Sequence, residues 1–62
     1  MDKRTQAFLD SIFDNTPEGV KLALANEWDV DRLNRCWEIA NEDGRNELAA
    51  LISLRMDEIR GS

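Results

Sequence analysis

Between Asp29 and Arg60 two runs of helix-spaced apolar residues flank one glycine, Gly44, and this arrangement constrains the fold more than any other feature of the chain. In the first run Val30, Leu33, Trp37 and Ala40 recur at steps of three and four, with Cys36 alongside. In the second, Leu48, Leu51, Ile52, Met56 and Ile59 form a broad stripe, widened by Leu54 on one side and Ala49 on the other. Side chains three and four residues apart share one face of an α-helix, so both runs predict amphipathic helices. Glycine adopts the left-handed backbone that ends a helix without the steric cost other residues meet. Asp43-Gly44 therefore predicts a sharp reversal, and residues 29–60 read as a helical hairpin with helices over about 29–43 and 46–60. Asp29 suits the N-cap of the first, and Asn46 is a candidate cap for the second.

The first half of the chain adds two shorter helices. Over about 3–14, Phe8, Leu9, Ile12 and Phe13 share a face with Thr5 beside them, at the usual turn of about 100° per residue. Asp14-Asn15-Thr16-Pro17 closes that helix, because proline pushes the residue before it out of the helical region. The same residues open the next, over about 16–27: Thr16 as N-cap, Pro17 at the first position, Glu18 at the positive end of the helix dipole. Val20, Leu24 and Trp28 fall on one side of it, with Ala23 at the edge and Leu22 opposite. No segment alternates apolar and polar residues over strand length. The expected fold is all-α, three to four short helices in a single small domain spanning 1–62.

A chain of 62 residues buries only about 60% of the surface its unfolded form exposes, so its core is small. Small domains commonly add a disulfide, a metal or a second copy of themselves. One cysteine and no histidine exclude an internal disulfide and leave no zinc-ligand set, so a homodimer is the expected device. The lone cysteine and the polar start Met1-Asp2-Lys3-Arg4-Thr5-Gln6 lead to the expectation of a cytoplasmic protein, the host cell's cytoplasm if the chain is phage-encoded. No apolar run approaches the roughly 20 residues a membrane span needs. Net charge is −5, which disfavours direct binding to nucleic-acid backbone, since that runs on lysine and arginine.

Chemistry is sparsely provided. With neither histidine nor tyrosine, and with no base beside Ser11, Ser53 or Ser62, the nucleophile–base–orienter set of an enzyme is missing. Glu42, Asp43 and Glu47 lack the alternate spacing of a calcium loop and read as a solvated corner. No cofactor or metal is expected, and Cys36, having no activating neighbour in sequence, reads as an inert packed thiol. What stands out instead is apolar surface beyond the needs of one hairpin. Ile39 lies roughly opposite its own helix's stripe, Leu54 lies beside the next one, and Arg55 projects from the middle of it. Arg55 either packs its stem while its head meets water or an acid, or marks a partner surface, where arginine is enriched. Trp37 reads as core, whereas Trp28, at a helix junction, suits either closing the corner or anchoring a partner. The candidate partner or dimer surface is thus Arg55, Leu54, Ile39, Met56 and Trp28.

The run Asp29-x3-Leu33-x3-Trp37-x2-Ala40-x3-Gly44-x3-Leu48-x6-Arg55-x2-Glu58-Ile59 is similar to a helical-hairpin motif near the C-termini of phage single-strand annealing proteins of the RecT/ERF type. It covers about half the chain. The annealing core of that family is absent, so the resemblance implies a compact accessory module that docks onto other proteins, not annealing or DNA binding. The leading expectation is a non-enzymatic protein-interaction module, a small phage or bacterial accessory or inhibitor protein that binds a host protein. Two alternatives stay open. One is a recombination accessory or small regulator directed at nucleic acid, with Arg32, Arg35 and Arg45 as phosphate contacts. The other is an acidic DNA mimic inhibiting a nuclease or defence complex through Glu27, Asp29, Asp31, Glu38, Glu42, Asp43 and Glu47.

Overall fold

Four helices follow one another in a computed structural model that describes residues 1–61: α1 Lys3–Phe13, α2 Pro17–Ala25, α3 Val30–Glu42 and α4 Asn46–Gly61. No strand occurs among the described residues, so the fold is all-α with four short helices. Each of the first three starts on a side-chain cap. The Asp2 carboxylate accepts from the Thr5 N–H at 2.9 Å, the Thr16 hydroxyl from the Gly19 N–H at 3.1 Å, and the Asp29 carboxylate from the Arg32 N–H at 3.1 Å. Each satisfies a backbone donor that the first helical turn leaves without a partner. Pro17 takes the first position of α2, where its missing N–H costs nothing.

The turn after α3 is built on Gly44, whose φ is +76°. The Arg45 N–H bonds back to the Ala40 carbonyl at 2.9 Å and the Gly44 N–H to the Asn41 carbonyl at 3.2 Å. Together these close the last turn of α3 in a Schellman arrangement. Asn46 is not a cap but the first residue of α4, and the Arg45 carbonyl accepts that helix's first bond, from the Ala49 N–H at 2.9 Å. α2 stops at Ala25, two residues short of the expected end; the Asn26 side-chain amide donates to the Leu22 carbonyl at 3.1 Å, and the Glu27 N–H turns to the Leu24 carbonyl at 3.1 Å. Trp28 therefore lies in the α2–α3 connection and not on a face of α2.

The hairpin of α3 and α4 is the frame. Leu33, Cys36 and Ala40 of α3 are buried, as are Ala49, Ile52 and Met56 of α4. Ala40 of α3 and Ala49 of α4, both buried near the turn, let the two helices approach closely. Leu9 and Ile12 of α1 and Val20 and Leu24 of α2 complete the core. Full burial of a leucine or isoleucine is worth about 1.5–3 kcal/mol, so Ile12, Leu33 and Ile52, the largest fully buried side chains with Cys36, dominate it. α2 and α4 pack far less closely than α3 and α4, and that leaves a furrow between them.

Ile39 differs from its expected place: it is half-buried and packs against the core, so the apolar face of α3 is broader than the narrow stripe suggested. The spacing of Asp31 and Arg35, four residues apart, would allow an ion pair on the outer face of α3, and none forms between them among the described residues. Arg35 instead meets Glu38 at 3.4 Å on its C-terminal side.

Candidate interaction groove

Arg55 leaves the middle of the α4 stripe and is only 9% exposed. Its guanidinium reaches the end of α2, where Nε donates to the Glu27 carbonyl at 3.1 Å and Nη2 to the Ala25 carbonyl at 3.2 Å. The same group lies 4.4 Å over the Trp28 ring and pairs with Glu58 at 3.7 Å. A planar fork that meets two carbonyls and an indole face suits arginine and not lysine. Arg55 is thus a clamp on the α2–α3 connection.

Glu27 is held from its other end by Arg32. Arg32 Nη1 donates to Glu27 Oε1 at 3.0 Å, and its Nε donates to the Thr5 hydroxyl at 3.3 Å. Both side chains are mostly shielded from water. The Glu27 hydrogen bond, reinforced by the nearby Glu27, Asp29 and Asp2 charges, raises the Arg32 pKa further. Glu27 Oε2 also accepts from the Trp28 and Asp29 N–H groups at 3.1 and 3.2 Å. A third arginine, Arg45, donates from Nη1 to the Phe13 carbonyl at 2.9 Å, stacks 4.4 Å over the Phe13 ring and pairs with Asp43 at 2.7 Å.

Met56 is a core residue, 5% exposed, and cannot line an outer surface. Ile39, on α3, is half-buried against the core and lines neither depression between α2 and α4. Leu54 and Trp28 do lie outside, 58% and 64% exposed, and Arg55 links them: it stacks on Trp28 and lines one depression with Leu54. That depression, about 200 Å³, is walled by Lys21, Leu24 and Ala25 of α2 and by Leu51, Leu54, Arg55 and Glu58 of α4. A larger one, about 550 Å³, lies at the other end of the furrow, between the α1–α2 corner with Val20 and the start of α4. Its apolar walls are Ile12, Phe13, Pro17, Val20, Leu48 and Leu51. Leu51 belongs to both, so the two depressions form one groove along α2 and α4.

No protein-family model, curated protein or solved structure matches this chain.

The groove's chemistry is that of apolar contact with a charged rim. Among the described residues no group of three histidine, cysteine, aspartate or glutamate side chains could hold a metal ion. No buried side-chain nitrogen or oxygen there lacks a hydrogen-bond partner, and no helix is long and apolar enough to cross a membrane. Cys36 is fully buried, and desolvation pushes its thiol up to about 11. The residues that sequence reasoning passed over are Phe13, Pro17, Val20 and Leu51. The signal that could have found them was the position of Leu51 at the edge of its stripe, facing neither core nor open water.

Proposed function

We propose that this chain is a non-enzymatic protein-interaction module, a small accessory or inhibitor protein of a phage or bacterial system that acts by binding a host protein. The observation that carries this reading is the apolar groove between α2 and α4, which ends at the exposed Leu54 and at Arg55, the residue stacked on the exposed Trp28. Apolar surface gathered in one place and rimmed by charge commonly marks a protein contact. One exposed side chain is of a type that anchors interfaces, a tryptophan backed by a stacked arginine. The resemblance of residues 29–60 to the hairpin of phage annealing proteins also supports a docking role.

Affinity capture from a bacterial lysate, followed by rebuilding the complex from the two purified proteins, tests the reading. The expected result is a stable complex of defined stoichiometry by size exclusion with light scattering. Failure of every captured protein to rebuild such a complex would overturn it.

A further inference from the structure

The two depressions are repeated along one helix. On α4 the first is centred near residue 48 and the second near residues 54–55, with Leu51 between them. Six to seven residues of helix span about 10 Å. That is the distance between side chains two turns apart on any helix lying along the groove. On the α2 side the first depression uses Pro17 and Val20 and the second Lys21, Leu24 and Ala25, so α2 runs in the same direction as α4 and the walls stay open along their length. The rim adds charge. Three cations, Lys21, Arg45 and Arg55, stand against two carboxylates, Glu47 and Glu58, on a chain whose overall charge is −5. Arg45 and Arg55 are committed to Asp43 and Glu58, whereas Lys21 forms no ion pair among the described residues.

We propose that the α2–α4 groove receives an amphipathic α-helix of a partner protein. That helix carries two large apolar side chains at i and i+7, with an acidic residue beside the second to meet Lys21. The inference rests on the interaction-module reading and adds the partner's chemistry. Helix-in-groove recognition reads anchors at this spacing, and Leu51, standing between the hollows, demands a small residue midway between them. A second copy of this chain does not fit. Its exposed large apolar side chains are Met1, Leu22, Trp28 and Leu54; no two of them lie two turns apart on one helix, and each copy brings the same net negative charge. An extended peptide has no sheet edge to join among the described residues.

The test is selection of a displayed library of helical peptides, about 15 residues each to span the groove, against the intact protein. Expected is enrichment of sequences with Leu, Ile, Phe, Met or Trp at i and i+7 and an Asp or Glu next to the second anchor. Leu54→Glu, at an exposed position, weakens their binding at least tenfold without loss of helix by circular dichroism. Lys21→Glu weakens it as well, and a peptide with its acidic residue changed to lysine recovers it. No enrichment, enrichment without that spacing, or binding indifferent to Leu54→Glu overturns the proposal. So does sedimentation showing a dimer that Leu54→Glu dissociates, because the groove would then hold a second copy. A rebuilt host-protein complex that survives Leu54→Glu removes the groove and leaves the interaction-module reading standing.

Discussion

Arg55 shows how a residue can look like an interface anchor and serve the interior. Its position in an apolar stripe left both roles open, and the geometry commits its guanidinium to the Ala25 and Glu27 carbonyls and the Trp28 ring. Replacing it with leucine keeps an apolar side chain in the stripe and leaves two carbonyls without their charged donor. Hydrogen bonds from charged groups are worth about 1.5–3 kcal/mol each, but these carbonyls gain access to water when the arginine goes. Arg55→Leu should therefore lower stability by about 2–3 kcal/mol in urea denaturation followed by circular dichroism. Arg55→Lys should recover less than half, for want of the planar fork. Trp28→Ala, which removes only the stacking partner, should cost about 0.5–1 kcal/mol. Equal stability of Arg55→Leu and the parent chain would show that the clamp contributes nothing. Cys36 offers a pH-dependent counterpart. Burial raises its thiol from 9.0 to about 11, because the folded interior disfavours the thiolate. The folded state holds the proton more tightly, so this contribution to stability is complete below pH 9 and is lost as pH rises through about 11. The urea midpoint should fall more steeply across that window in the parent chain than in Cys36→Ala. Parallel pH profiles would refute the assignment.

At the scale of elements, most cap and turn signals in the sequence found their place, Asn46 and the end of α2 excepted, because caps and turns are decided by neighbours. Thr16-Pro17 opens α2, Asp29 caps α3 and Gly44 ends it as its backbone freedom requires. Gly44 gives the cleanest test. A Cβ there meets nothing within 4 Å, so any cost of Gly44→Ala is backbone strain at φ +76° alone. That strain is about 1–2 kcal/mol for an ordinary residue, and Gly44→Asn should cost less, since asparagine tolerates the left-handed region. Thermal melts of the two variants check the order, and an unchanged melt for Gly44→Ala would mean that the turn has rearranged. What the sequence could not reveal depended on partners far along the chain. Arg32 reaches Thr5 across 27 residues and Arg55 reaches Glu27 across 28. Met56, equally at home on a wide stripe or an outer face, is inside, part of the core that all four helices build. The groove itself was invisible for the same reason: it exists only because α2 packs loosely against α4, and no local pattern encodes how two helices pack.

On the scale of the whole molecule, three arginines do what a disulfide or a metal does elsewhere in chains of this size. Arg45 ties the end of α1 to the α3–α4 turn, Arg55 ties the α2–α3 connection to α4, and Arg32 holds that connection and Thr5 of α1 to α3. Each joins segments that short helices alone would hold weakly. This use of cations bears on nucleic acid. Of Arg32, Arg35 and Arg45, the arginines a phosphate backbone would recruit, two are spent on internal carbonyls, hydroxyls and carboxylates, and Arg35 already faces Glu38. Freeing Arg32 and Arg45 would cost contacts that close the fold, and the net charge of −5 itself disfavours a phosphate backbone. Binding to DNA or RNA rises steeply as salt falls, in proportion to the phosphates neutralised, so low salt is the most permissive condition. Gel-shift titrations at about 50 mM salt should show no complex with single- or double-stranded DNA. A shift there that fades by about 200 mM salt would mean that at least one of these arginines exchanges its internal partners for phosphate. In that case Arg45→Ala should weaken the shift and also lower the melting temperature, tying recognition to an opening of the α1–α2 corner.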